Sequence, residues 1–184
     1  IETRREDFYV QIFDKNLQKL GEPKALSRQD IITKLKEGGK MVVELISVGT
    51  EILLGNIVNT NAAFLSEKCA ALGLSCYYQT VVGDNEERMC QTIKTALDRS
   101  DIVILSGGLG PTQDDMTKEI ACETLGDELV LHQESMDQLE EMFRKGNRVM
   151  TENNRKQAWM PSRATVFDND AGTAPGFALE RDGK

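Results

Sequence analysis

Residues 106–115 read SGGLGPTQDD, and what flanks them decides the fold. Before them runs DIVIL (101–105), short, apolar and rich in β-branched residues, which predicts a fully buried strand. After them Met116, Ile120 and Leu125 recur at near-helical spacing, which predicts a helix opening close to Asp114. Between the two, Gly107, Gly108 and Gly110 can adopt positive φ and let a ligand approach the main chain. A strand, a glycine turn and a helix N-terminus together make an anion site out of freed N–H groups and the positive end of the helix dipole. Asp114 and Asp115 close this loop. Beside a phosphate they repel it, unless a metal cation lies between them or one of them is protonated.

Working outward, MVVELISVG (41–49) predicts a buried strand, and Asn59 or Thr60 can cap a helix whose apolar face is Ala62, Leu65, Cys69 and Leu72, ended by Gly73. LSCYYQTVVGD (74–84) predicts a second strand. Asp84 then stands as a helix cap with Glu87 three positions on, and Met89, Ile93 and Leu97 face inward. Strand–helix alternation repeated three times predicts a parallel sheet covered on both faces, with ligands beyond the carboxyl ends of its strands. Those ends carry residues 49–51 (Gly49, Thr50 and Glu51), 83–84 and 106–110, so three polar loops converge on one rim. Further on, the pattern predicts a helix over 134–145, a short helix ENNRKQAWM (152–160) capped by Thr151, a strand in ATVFDN (164–169), and a glycine-punctuated turn at GTAPGFALE (172–180) leading into another strand.

The 184 residues suit one α/β domain with a short appendage. No apolar run approaches the roughly 20 residues that cross a bilayer, and no secretory signal opens the chain. A net charge of −8 argues against nucleic acid as the main partner. The charge is uneven: residues 1–40 carry nine Lys/Arg against seven Asp/Glu, and residues 41–184 carry thirteen against twenty-three. That shift marks a boundary at Met41, separating an N-terminal extension (1–40) from the main domain (41–184). Within the extension, DFYVQIFD (7–14) predicts a strand and SRQDIITKLKEGG (27–39) a capped helix, too little to stand alone. The four cysteines show no CxxC spacing and His132 is the one histidine, so buried free thiols in a reducing cytoplasm are expected rather than zinc. A serine–histidine–aspartate set has no place, and the GxxxxGK[ST] phosphate loop is missing.

Each site residue also has a plainer role open to it. The glycines serve a tight turn equally well, and Asp84 and Asp114 are competent helix caps, as are Asn59 and Asn61. Glu51 fits an ordinary solvated carboxylate. Asp115, with less reason to cap, is the better candidate for metal or base. Asn153, Asn154, Arg155 and Lys156 lie together in an otherwise acidic domain, either as a solvated helix face or with Arg155 or Lys156 reaching a diphosphate.

From Val43 to Lys184 the chain resembles the N-terminal domain of the competence/damage-inducible CinA family, part of the molybdopterin-binding superfamily with MogA, MoaB and the corresponding domain of MoeA and gephyrin. The matching pieces are VGTEILLGNIVNTNAAFLSEKCAALG, QTVVGDNEERM, ILSGGLGPTQDDMTKE, MTENNRKQA and GTAPG. The resemblance implies a three-layer α/β/α sandwich with a mostly parallel sheet, and a homo-oligomer, dimeric in the CinA branch or trimeric in the MogA branch. It also implies a nucleotide- or pterin-phosphate site on the rim. In the MogA branch one aspartate after the second strand and one after the glycine loop serve molybdopterin adenylylation, and those positions fall here on Asp84 and Asp115. In that family the chain continues past DGK into a strand and a proline-rich loop, so a domain cut short at its C-terminal end is expected.

CinA-type domains are associated with metal-dependent hydrolysis of ADP-ribose to AMP and ribose 5-phosphate. Under that reading Asp84, Asp115, Asp114 and Glu51 hold a divalent cation of the Mg, Mn or Co class. Gly107, Gly108 and Gly110 with Thr50, Asn59, Asn153, Asn154 and Arg155 hold a small-molecule nucleotide, with no membrane involved. The first alternative keeps the site for molybdopterin binding or adenylyl transfer. The second is a non-enzymatic oligomerisation or partner-docking domain.

Overall fold

The computed structural model describes residues 7–10, 24–27, 41–169 and 171–180. Strands β1 (Asp7–Val10) and β2 (Lys24–Ser27) pair antiparallel. The rest of the strand expected over 7–14 and the helix expected after Ser27 lie outside the described residues, and Ser27 itself ends β2. The main domain runs β3 (Val42–Val48), α1 (Thr50–Leu53), α2 (Thr60–Ala71), β4 (Ser75–Val82), α3 (Glu86–Arg99), β5 (Ile102–Ser106) and α4 (Thr117–Thr124). It continues through β6 (Leu129–Leu131), α5 (Gln133–Lys145), α6 (Glu152–Arg155), a 3₁₀ turn (Lys156–Ala158), β7 (Trp159–Pro161), β8 (Thr165–Phe167) and β9 (Gly176–Ala178).

Strand β3 lies in the middle of a parallel sheet of order β4-β3-β5. Its alternation explains the layering. Val43 and Leu45 pack on one face with Cys69 and Leu65 of α2 and with Ile102 and Ile104 of β5. Ile46 and Val48 pack on the other with Met89, Ile93 and Ala96 of α3 and Ile120 and Ala121 of α4. The result is a three-layer α/β/α sandwich, with α2 on one face and α3 and α4 on the other. The antiparallel pairs β6–β7 and β8–β9 complete the described chain. No helix among the described residues is long and apolar enough to cross a membrane.

Several local expectations are corrected. The cap of α3 is Asn85, whose side chain accepts from the Arg88 amide at 3.0 Å, and not Asp84. Helix α4 starts at Thr117, so Asp114 and Asp115 belong to the loop ahead of it. The segment expected as one helix over 152–160 ends in a 3₁₀ turn, and Trp159 and Met160 pair with β6 instead. All four cysteines are free, with Cys69 and Cys122 buried.

One polar residue stands out in the central strand. Glu44 is 0% exposed. It is tolerated because Arg99, at the end of α3, grips it with two prongs: Nε donates to Oε2 at 2.8 Å and Nη2 to Oε1 at 2.7 Å. Thr80 Oγ1 donates to Oε1 at 3.0 Å, and the guanidinium stacks 3.8 Å from the Tyr78 ring centre. A register shift between Val43 and Glu44 makes this alignment: Val43 faces Cys76 but Glu44 faces Tyr78. The extra residue, Tyr77, bulges out and is exposed. The Arg99 guanidinium holds the Glu44 carboxyl below the usual carboxylate range.

Removing Arg99 strands a buried charge, which costs more than the pair itself contributes. Arg99→Met is expected to lower the unfolding free energy in urea titrations at pH 7. The loss should shrink under acid conditions that protonate Glu44, and Glu44→Met with Arg99→Met together should recover most of it.

Candidate functional site

The first strand of the domain, β3, is its middle one. The chain steps to β4 on one side and then crosses to β5 on the other. Where such an order reverses, the loops after neighbouring strands part and leave a crevice at their carboxyl ends. Polar side chains fasten this crevice. Asn59 donates to Ser47 Oγ at 2.9 Å while accepting the Ala62 amide at 3.1 Å, so it caps α2 and ties it to β3. Asn61 donates to Ser106 Oγ at 3.2 Å. Ser47 and Ser106 are register partners on β3 and β5, so the start of α2 is stitched across the switch point.

The loops after β3 and β4 are clasped to each other. Asp84 Oδ2 accepts from the Thr50 amide at 3.0 Å and from Thr50 Oγ1 at 2.8 Å. The Asp84 amide donates back to Thr50 Oγ1 at 3.2 Å. Glu51 folds over Gly49, placing Oε1 2.5 Å from where a Cβ on that glycine would be.

The glycine loop after β5 has no room for side chains. At Gly107 (φ +105°) a Cβ would stand 2.2 Å from the Val48 carbonyl oxygen, and at Gly108 (φ +64°) 2.3 Å from Thr117 Oγ1. Each of these φ values also disfavours any L residue. Asp115 closes the loop: its Oδ2 accepts the Thr112 amide at 2.9 Å and also contacts Thr112 Oγ1. Asp114 Oδ1 contacts the same hydroxyl, whose single proton can be donated to one carboxylate at a time. The Thr112 hydroxyl, its own backbone and Lys156 hold the Asp114 carboxyl below the ordinary range. Asp84 and Asp115 thus share a design, with Oδ2 anchored to a threonine while no protein donor is bonded to Oδ1 among the described residues.

Of the two cations expected to reach a diphosphate, Lys156 lies at this loop and Arg155 is paired elsewhere. Arg155 pairs with Glu140 at 3.7 Å and Glu152 at 3.6 Å. Asn154 turns its Oδ1 back to the Thr151 amide and hydroxyl, and Asn153 is exposed. Lys156 is the cation at the loop, donating to the carbonyls of Thr112 at 2.5 Å and Asp115 at 2.6 Å. The cationic character of NRKQA was readable, but which side chain turned toward the loop depends on the 3₁₀ turn that follows α6. Lys118, which the sequence did not single out, is 5% exposed and donates to the Lys156 carbonyl at 2.7 Å.

Among the described residues no group of three or more His, Cys, Asp or Glu is placed to hold a metal ion. The four acidic residues expected as one cation set are divided: Asp84 is bonded to Thr50, Asp114 and Asp115 to Thr112, and Glu51 lies over Gly49. The donor set does not form a metal cage.

Residues 44–184 match the family model described as a probable molybdopterin binding domain. The chain is 53% identical over 144 residues to a putative competence-damage inducible protein of Caldicellulosiruptor saccharolyticus, covering 78% of this chain and 35% of that protein. It is 54% identical over 144 residues to the protein of the same description from Clostridioides difficile, covering 78% of this chain and 34% of the relative. The chain therefore spans about a third of the length of these relatives. Among solved structures it is similar to the protein CinA, described as of unknown function, from Thermoplasma acidophilum: 35% identity, TM-score 0.71, covering 79% of this chain and 85% of that one.

Burial, with Lys156 adding to it and Glu119 opposing, pulls the Lys118 ammonium down to about 8 from 10.5. Between those values the unfolded chain holds more protons than the folded one, so stability rises with pH; below about 8 the penalty is present in full. From pH 7 to pH 10 the native chain should gain about 2 kcal/mol on Lys118→Met, read as the difference between their urea unfolding curves.

Proposed function

The chain belongs to the probable molybdopterin binding domain family, in its CinA branch, and on that premise we propose that its rim binds the phosphate or diphosphate of a nucleotide-like ester. One observation carries this reading. The amides of Gly108, Leu109 and Gly110 donate to no protein acceptor among the described residues, at the crevice where the strand order reverses. Three neighbouring unpaired N–H groups beside a helix N-terminus form a concave positive field suited to phosphoryl oxygens.

The finer reading is hydrolysis of a nucleoside diphosphate sugar of the ADP-ribose type, as part of the full-length protein. A water oxygen attacks one phosphorus, the bridging P–O bond breaks, and AMP and ribose 5-phosphate leave. The open Oδ1 of Asp115 or Asp84 takes the proton from the water, while the loop amides stabilise charge on the phosphoryl oxygens. Each aspartate is suited to this because its Oδ2 is already fixed by a threonine. No step is drawn through a metal, since the carboxylates do not gather around one.

The second reading is molybdopterin binding or adenylyl transfer at the same rim. The family's description and the divided acidic set both favour it over a metal-dependent hydrolase. Incubating the full-length protein with ADP-ribose and resolving the products separates the two. The hydrolase reading expects AMP and ribose 5-phosphate, and a loss of about 100-fold or more in kcat for Asp115→Ala. Unchanged turnover in that variant would remove Asp115 from the chemistry. Retained pterin without ADP-ribose cleavage would establish the second reading. A stable oligomer that binds neither ligand by calorimetry would instead point to a docking domain.

A further inference from the structure

We infer that Gln157 and Lys156 are positioning residues of the phosphate site, holding the glycine loop by its carbonyls so that its amides face outward. This rests on the reading of the loop as an anion site. The carbonyl of one residue and the N–H of the next share a rigid plane and point in opposite directions, so fastening one aims the other.

Three consecutive planes are fastened in this way. Thr117 Oγ1 donates to the Gly107 carbonyl at 2.8 Å, which aims the Gly108 amide. The Thr117 amide donates to the Gly108 carbonyl at 3.1 Å, which aims the Leu109 amide. Gln157 Nε2 donates to the Leu109 carbonyl at 3.4 Å, which aims the Gly110 amide. The aimed amides are the same three that have no protein acceptor among the described residues. Thr117 belongs to the helix that follows the loop, so it secures two planes locally. The third plane depends on a residue 48 positions away.

Lys156 secures the far end of the loop through the Thr112 and Asp115 carbonyls, and so sets where the Asp115 carboxylate stands. Lys118 in turn fixes the Lys156 carbonyl, which connects α4, the 3₁₀ turn and the loop in one chain of contacts.

A second observation points the same way. Gln157 is 2% exposed, and its Oε1 is the buried side-chain oxygen left without a partner among the described residues. An unsatisfied buried acceptor is a standing cost to the fold. A glutamine chosen for packing alone would be better replaced by an apolar residue of its size. Its amide nitrogen, on the Leu109 carbonyl, is what the apolar residue could not supply.

The test follows from that contrast. Inorganic pyrophosphate is titrated into the ¹⁵N-labelled chain while the amide resonances of Gly108, Leu109 and Gly110 are followed, with affinity from calorimetry. The native chain should shift all three. Gln157→Leu should bind pyrophosphate about tenfold more weakly, with the largest loss of shift at Gly110, and its melting temperature should hold or rise because the orphaned oxygen is gone. Lys156→Met should also weaken binding about tenfold, and Lys156→Arg, which can still donate to carbonyls, should recover part of it. Native shifts with Gln157→Leu binding within twofold of native would overturn the positioning role and leave the phosphate site standing. No shift at these amides in the native chain would overturn both.

Discussion

The Val48 carbonyl oxygen at the end of the central strand leaves no space beside it, and the rim depends on that contact. The chain leaving β5 must turn across the end of β3 at a distance that would put a Cβ of residue 107 at 2.2 Å from this oxygen. Glycine at 107 lets the backbone descend onto β3, and glycine at 108, with φ +64°, turns it back under the Thr117 hydroxyl. Because the loop lies so low, its carbonyls come within reach of Thr117 and Gln157. A side chain at either position would lift the loop off the sheet and undo both.

The proposed phosphate site lies in a chain of net charge −8. The long-range field repels a phosphate, so short-range groups must do the binding. In that proposal main-chain dipoles do this without adding net charge, since the two lysines beneath the loop donate their ammonium groups to carbonyls. The acidic residues are kept in order by the same economy of contacts: a threonine holds one oxygen of Asp84 and another threonine holds one oxygen of Asp115.

Far from the rim, Glu44 and Arg99 lock the opposite end of the sheet. The carboxylate bridges the central strand to the end of α3, to Thr80 on β4 and, at 3.4 Å, to Ser100 Oγ. A charged residue in the middle strand therefore specifies one register, since a slip of one residue would carry Glu44 to the other face and away from Arg99. The register shift that admits it also decides which residues of β4 face α3.

Much of the sandwich was legible from periodicity. Val43, Leu45, Ile46 and Val48 alternate between two cores, Met89 and Ile93 fall one helical turn apart, and the glycines of residues 106–110 mark the turn, because burial and backbone sterics act on neighbours in sequence. The convergence of three loops followed from the strand–helix order. What the amino-acid order could not settle were choices between near-equivalent neighbours: Asn85 over Asp84 as the cap, Thr117 over Asp114 as the helix start, Lys156 over Arg155 at the loop. Nor could it show Gln157 meeting Leu109 or Glu44 meeting Arg99, contacts separated by 48 and 55 residues. Local patterning determined which segments became strands, helices and turns; only the packed structure decided which side chains met across them, because hydrogen bonds between distant residues depend on positions that no sequence period encodes.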